Sequence, residues 1–123
     1  MYVNDKMVLQ LVALLKKFGI KKVVVSPGSR HNKLINSLET DGSFKLYLVV
    51  DERSAAFFAL GLIQECGEPV AVTCSSGTAC MNYGSAIVEA FYQRLPLIVL
   101  SSDRVPELLN QCEDQMYDQA STF

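Results

Sequence analysis

The sequence contains no tryptophan and a single histidine, His31. No apolar run approaches the roughly 18 residues that a membrane-spanning helix needs. Basic and acidic residues nearly balance, 11 against 13, for a net charge of -2. With no basic cluster, the electrostatic footprint of a nucleic-acid binder is missing. The amino terminus, Met1-Tyr2-Val3-Asn4-Asp5-Lys6, has no basic segment leading into an apolar core, so it does not read as a signal peptide. A cytoplasmic location is expected, without nucleic-acid or membrane partners. The four cysteines, Cys66, Cys74, Cys80 and Cys112, form no Cys-x-x-Cys pair, and His31 is remote from all of them in sequence. Zinc sites need closer ligand spacing, so no metal ligands are predicted and the cysteines read as reduced structural thiols. Neither Gly-x-Gly-x-x-Gly nor Gly-x-x-x-x-Gly-Lys-Ser/Thr occurs, which disfavours ordinary dinucleotide or ATP binding. Internal repeats and low-complexity segments are also lacking.

What remains is a chain of 123 residues, half of them hydrophobic, enough for the core of one domain. Helix and strand alternate along it. Asn4 or Asp5 caps a first helix to Phe18, with Met7, Val8, Leu11, Leu14 and Leu15 at helical spacing, and Gly19 stops it. Lys21–Ser26 is a buried strand around Val23-Val24-Val25, and Pro27-Gly28 ends it. A short helix is expected from His31 to Glu39, then a second buried strand, Leu46–Val50, and a helix from Ser54 to about Gln64. Pro69–Cys74 forms the third strand. A long helix from Ala79 to Arg94 follows, with Met81, Ile87, Val88, Phe91 and Tyr92 available for its buried side. Leu97–Leu100 is the fourth strand, Glu107–Gln111 a short helix, and Cys112–Phe123 a polar tail without period.

Continuous apolar strands alternating with helices predict a three-layer α/β/α domain with a parallel sheet. Parallel strands bring their carboxyl ends to one edge. Four loops therefore meet there: Pro27-Gly28-Ser29-Arg30, Asp51-Glu52-Arg53, Ser76-Gly77-Thr78 and Ser102-Asp103-Arg104. Two of them couple glycine with hydroxyls ahead of a helix, a shape whose N–H groups receive anions. Two others bring arginines suited to a carboxylate or phosphate. Singly, each is an ordinary feature. Asp51-Glu52 suits the first turn of any helix, Pro-Gly-Ser is a common turn, and Arg53 and Arg94 read as solvated charges. Together they predict a site for a small anionic molecule.

These stretches also match a family. Ser26-Pro27-Gly28-Ser29-Arg30, the run from Asp51 to Gly61, Ser76-Gly77-Thr78-Ala79 and Pro96–Leu100 with Asp103-Arg104 resemble the amino-terminal, pyrimidine-binding domain of thiamine-diphosphate enzymes. Within them, the likeness is to the 2-succinyl-5-enolpyruvyl-6-hydroxy-3-cyclohexene-1-carboxylate synthase (MenD) family, over nearly the whole chain. The resemblance implies that Glu52 is catalytic. It would hydrogen-bond N1′ of the cofactor's aminopyrimidine and favour the imino tautomer that deprotonates the thiazolium, a relayed acid–base role. It implies further that Ser76, Gly77 and Thr78 lie beside thiamine diphosphate, and that Ser29, Arg30, Arg104 and Gln115 hold the carboxylates and hydroxyl of isochorismate. The donor substrate would be 2-oxoglutarate.

Two departures from the family pattern bear on the acceptor. His31-Asn32-Lys33-Leu34 stands where a small polar residue and Thr-Pro-Leu are usual, and Glu113-Asp114-Gln115 replaces Ala-Asn-Gln. A carboxylate at Asp114 would repel a dianionic substrate unless paired or protonated. His31 is either a plain helix-start residue or an altered substrate contact. A related carboligase or decarboxylase with another acceptor, or a non-catalytic association module, are the alternative expectations. The Gly-Asp-Gly…Asn motif that supplies Mg²⁺ ligands on the family's diphosphate domain does not occur in these residues. The chain is thus expected to be the pyrimidine domain alone, with part of its sheet missing, inactive by itself and working as a homo-oligomer with active sites between subunits.

Overall fold

Asp5 starts the first helix. In the computed structural model, which describes residues 4–109, 111 and 114–123, its carboxylate accepts from the N–H groups of Met7 and Val8 at 3.2 and 3.4 Å. That satisfies two of the donors every helix start leaves open. α1 (Lys6–Lys17) ends on Lys16 and Lys17, placed to offset the negative end of the helix dipole. Gly19 follows at φ +71° and turns the chain. Val8, Leu11, Val12 and Leu15 make the buried stripe. Met7 and Leu14, expected on that face, fall beyond its edge and are exposed.

Four strands form one parallel sheet, β1 (Lys22–Val25), β2 (Lys45–Leu48), β3 (Val70–Cys74) and β4 (Leu97–Ser101), in the order β2-β1-β3-β4. Alternate side chains of a strand go to opposite faces, and the two cores divide accordingly. Val23, Val25 and Ala71 face α1 and α2 (Asn32–Asp41), where Leu34, Leu38 and Phe44 fill the layer. Val24, Val70, Val72 and Cys74 face α3 (Glu52–Cys66), α4 (Thr78–Met81) and α5 (Gly84–Gln93). The predicted three-layer α/β/α architecture with a parallel sheet is the one observed. Ala55, Ala56 and Ala59 give α3 a flat face that lies close on the sheet. Lys16–Asp41 at 2.8 Å and Lys33–Asp5 at 3.1 Å tie α1 to α2 on the outside.

Several expectations are corrected. β2 is an edge strand and only partly buried, because β1 pairs with β3 on its other side and nothing covers the outer edge of β2. α3 begins at Glu52, two residues earlier than expected, since the Asp51 carboxylate accepts from the N–H of Ser54 at 2.8 Å. α2 follows a 3-10 turn, Ser29–His31. The long helix predicted over residues 79–94 is two helices. Asn82 and Tyr83 bond back three residues, to Ala79 and Cys80, as Tyr83 turns fully into the core and Gly84 adds little helical preference. In consequence Ala86 and Ala90, with Ile87 half-covered, form the buried side of α5. Met81, Val88, Phe91 and Tyr92 are exposed, the last two at 76% and 78%. The helix expected at 107–111 is a single 3-10 turn, Pro106–Leu108. Cys112 and Glu113 lie outside the described residues, as do residues 1–3 and 110.

Leu38 is fully buried between α2 and the sheet. Leu38→Ala is expected to lower the stability of the chain by about 2–5 kcal/mol, read as a reduced urea midpoint with unchanged slope.

Candidate functional site

The strand order places a switch point between β1 and β3, since the chain moves from β1 outward to β2 and returns to add β3 on the opposite side. Loops leaving such a point diverge and open a crevice at the carboxyl ends of the strands. The loops after β1 and β3 are packed tightly below it. A Cβ on Gly28 would come within 2.7 Å of the Ser75 Cβ and 3.2 Å of the His31 ring. Ser26 fastens the edge, its N–H donating to the Thr73 carbonyl (3.0 Å) and its hydroxyl to the Val49 carbonyl (2.9 Å).

The predicted residues fall into two groups on this edge. Ser29 and Arg30 lie exposed on the 3-10 turn after β1 and line a cleft of about 780 Å³. Its walls come from the start of α1, from α2 and from the ends of β3 and β4, including Ser101, Ser102 and Asp103. Glu52, Ser76, Gly77, Thr78, Arg104 and Gln115 do not line it.

Glu52 opens α3, half-buried, on the opposite side of the sheet from α1 and α2. Its charge reaches the Cys74 thiol and the Tyr83 hydroxyl. Burial, joined by the charges of Cys80 and Glu52, pushes the Cys74 thiol up to about 12, which keeps it protonated and unreactive. Burial and the neighbouring Cys74 likewise raise Tyr83 above its ordinary value. The Tyr83 hydroxyl lies against the Cys74 thiol and the Ser26 side chain, whereas the buried Ser76 hydroxyl has no hydrogen-bond partner among the described residues.

Gly77 adopts φ +66°, ψ -128°, a conformation that only glycine takes readily. A Cβ there would collide with the backbone carbonyl of Gln115, so the tail packs directly on this loop. Gln119 locks the contact. Its Oε1 accepts from the Gly77 N–H at 2.8 Å, and its Nε2 donates to the Ser101 hydroxyl at 3.0 Å and the Ser102 carbonyl at 2.9 Å. Arg104 Nη2 donates to the Asp114 carbonyl at 2.5 Å. Gln115 itself is exposed and at φ +57°. The loop after β3, the end of β4 and the tail are thus joined, bringing Gly77 and Gln115 together. Nothing in the aperiodic polar tail marks Gln119 beforehand, and Tyr83 reads in sequence as one more helix-face aromatic.

His31 stands at the N-cap position of α2, as a helix-start residue would, but makes no side-chain capping bond. Its ring is 3% exposed, and among the described residues neither ring nitrogen has a hydrogen-bond partner of normal geometry. Burial lowers its pKa below the ordinary 6.5, partly opposed by the Ser26 backbone, so the ring is neutral at pH 7. Thr73, also lining the cleft, is fully buried with an unpartnered hydroxyl. Among the described residues no three His, Cys, Asp or Glu side chains gather as a metal site. No helix of the described residues is long and apolar enough to cross a membrane.

Residues 6–122 match the family described as "Thiamine pyrophosphate enzyme, N-terminal TPP binding domain". The chain is 47% identical over all of its 123 residues to a 2-succinyl-5-enolpyruvyl-6-hydroxy-3-cyclohexene-1-carboxylate synthase from Phocaeicola vulgatus, of which it covers 22%. To the protein of that name from Lysinibacillus sphaericus it is 52% identical over 101 residues, covering 82% of this chain and 18% of the relative. The chain therefore spans about a fifth of the length of the curated relatives it matches. Among solved structures, benzoylformate decarboxylase from Polynucleobacter necessarius superposes with a TM-score of 0.73 at 27% identity, over 88% of this chain and 20% of that one.

His31 yields a pH prediction. A histidine whose pKa is depressed by folding is protonated first in the unfolded chain, so stability is retained above pH 6.5 and lost as pH falls below it. The carboxylates with lowered pKa values, Asp5, Asp41, Asp51 and Glu68, act only from about pH 4.5 downward. Urea midpoints measured from pH 7 to 5 are expected to fall for the wild type and to stay level for His31→Gln.

Proposed function

The chain belongs to the thiamine pyrophosphate enzyme, N-terminal TPP binding domain family, and from that premise we propose that it is the pyrimidine-binding part of a thiamine-diphosphate-dependent transferase of the 2-succinyl-5-enolpyruvyl-6-hydroxy-3-cyclohexene-1-carboxylate synthase type. The reaction would join the four-carbon unit left by decarboxylation of 2-oxoglutarate to isochorismate, in menaquinone biosynthesis. The observation that supports this best is the near-half identity running along the entire chain to proteins of that name, with Glu52 standing at the β2–α3 junction.

The residues present fit one end of the cofactor. A half-buried carboxylate at Glu52 and the buried Ser76 hydroxyl, which has no partner among the described residues, lie at the carboxyl edge of the sheet, a setting suited to an uncharged heterocycle with both donors and acceptors. The diphosphate and Mg²⁺ find no comparable ligand set among the described residues, which favours their being held by a separate diphosphate-binding domain. Held by these residues, thiamine diphosphate would supply a nucleophilic carbon and an electron sink for decarboxylation of the 2-oxo acid. Glu52 would hold a proton against N1′ of the aminopyrimidine ring and fix its tautomer, its position set by the Asp51 cap of α3. Gly77 and Thr78 border the ring through the tight loop after β3. Ser29 and Arg30 would receive acceptor carboxylate in the cleft, while Arg104 and Gln115, outside its lining and on the segment clamped by Gln119, would meet the acceptor from the Gly77 side.

A different acceptor is the second reading. It is favoured by one observation: the acceptor cleft is floored by the neutral His31 ring rather than by a small polar side chain. Supplying the complete enzyme with 2-oxoglutarate, with and without isochorismate, separates the two. Adduct formation is expected; CO₂ release without adduct would select the other acceptor. In the same enzyme Glu52→Gln is expected to reduce turnover by about 10²–10⁴-fold with an unchanged circular dichroism spectrum, and wild-type turnover would remove Glu52 from the chemistry.

Association with a second copy is also part of this reading. Phe57 and Phe58 on α3 and Val88, Phe91 and Tyr92 on α5 are exposed on neighbouring helices, and apolar exposure of that extent marks association surfaces. Phe91→Glu combined with Tyr92→Glu is expected to shift sedimentation velocity from dimer or tetramer to monomer without loss of helix content.

A further inference from the structure

The proposed acceptor cleft contains two groups to which no role has been assigned. The His31 ring and the Thr73 hydroxyl both line it, both are more than nine-tenths buried, and among the described residues none of their polar side-chain atoms makes a hydrogen bond of normal geometry, the His31 ring meeting only the Ser26 backbone. Native structures pair nearly all such atoms, so two orphans in one cleft mark a place where a ligand completes the hydrogen bonding. A second feature adjoins them. α2 is ten residues long and starts without a side-chain cap or an acidic residue in its first turn, whereas Asp5 and Asp51 cap α1 and α3. The positive dipole end of this helix, uncapped by any side chain, favours an anion, and Arg30 stands on the turn just before it. Lys33 on the same turn is paired with Asp5 at 3.1 Å, and the Asp103 carboxylate accepts from the Arg104 N–H.

We propose that His31 is a specificity-determining residue: with Thr73 it forms an uncharged floor that takes the hydroxyl of a small ring-shaped hydroxycarboxylate, whose carboxylate rests at the start of α2 beside Arg30. The chemistry of the floor selects the hydroxyl. A neutral imidazole offers one donor and one acceptor, as does threonine, and a ligand hydroxyl answers both. A carboxylate only accepts, so placing it on the floor would bury charge and leave the imidazole acceptor unpaired. The ring of the ligand is matched by Val8, Leu11, Leu34 and Val99 on the walls, and a volume of about 780 Å³ is ample for it. This inference rests on reading the cleft as the acceptor site.

The test uses the 123-residue chain, benzoate and 3-hydroxybenzoate. His31 is its only histidine, so the imidazole resonances in an NMR titration need no further assignment. 3-Hydroxybenzoate is expected to move those resonances and to bind about tenfold more tightly than benzoate, the worth of a well-made hydrogen bond to buried groups. His31→Leu is expected to abolish the preference while leaving benzoate affinity unchanged, and Arg30→Ala to weaken both probes equally. Thr73→Val, which keeps the shape of the side chain, is expected to reduce the preference as well, and it decides the matter if His31→Leu loses its amide dispersion. Equal affinity for the two probes, or a preference that survives both substitutions, would overturn the assignment. Isochorismate turnover by the complete enzyme judges the acceptor reading independently: a His31-dependent preference without such turnover retains the floor and rejects isochorismate, and turnover with no preference does the reverse.

Discussion

The pairing of β1 with β3 governs everything at the carboxyl edge of the sheet. These strands are adjacent in the sheet although α2, β2 and α3 separate them in the chain, and their side chains are almost wholly buried. Their register, Val25 opposite Thr73, continues through the Ser26 N–H to the Thr73 carbonyl. It carries the loop after β1 against the loop after β3 until Gly28 meets Ser75 with no room for a side chain. A register slip of one residue would exchange the two faces of a strand, sending Val24 into the α1–α2 layer and Thr73 into the α3–α5 layer. The floor of the cleft and the surroundings of Glu52 would be lost together.

That single edge supports two environments of different character. On the α1–α2 side, the cleft joins a charged rim at Arg30 to a neutral polar floor at His31 and Thr73. On the α3 side, Glu52 approaches the buried Cys74 thiol and Tyr83 hydroxyl, whose protons are retained by desolvation. The sheet lies between them, so each can be tuned without disturbing the other. A carboxylate in the first environment meets the open end of α2, whereas in the second it meets groups that donate a hydrogen bond but stay neutral. The arrangement suits chemistry in which an anionic substrate and a neutral heterocycle approach the same edge from different sides.

The elements were readable from the sequence where local and tertiary preferences agree. Asp5 is a good cap, Gly19 a good stop, and the valine runs of β1 and β3 occupy the centre of the sheet as their uniform apolarity implies. Legibility failed where burial was decided by distant neighbours. β2 has as apolar a core as β1, yet the order of strands leaves it at an edge. Met81, Val88, Phe91 and Tyr92 are apolar at helical spacing, but Tyr83 turns inward, breaks the helix and rotates α5 so that Ala86 and Ala90 meet α3. Four loops on one edge followed from parallel pairing alone. Their division into two groups did not, because it depends on which face each loop turns toward. Gln119 was invisible, since a three-way amide clamp leaves no periodicity or composition to detect.

The rotation of α5 ties shape to chemistry. α3 begins with Glu52 and continues into exposed Phe57 and Phe58, the latter against the Tyr47 ring of β2, and α5 turns further aromatic side chains outward. On the proposed reading, a second copy covering this surface removes water from the side of Glu52 that this chain leaves open. Desolvation strengthens any hydrogen bond the carboxylate makes to a bound heterocycle. Helix packing and proton handling are then one device: small residues draw α3 and α5 onto the sheet, large ones face outward to a partner, and the carboxylate at the head of α3 lies where the two surfaces meet the cofactor edge. Replacing the alanines by larger residues would lift α3 from the sheet and shift Glu52 with it, so the small side chains of α3 are the ones that fix the position of this carboxylate.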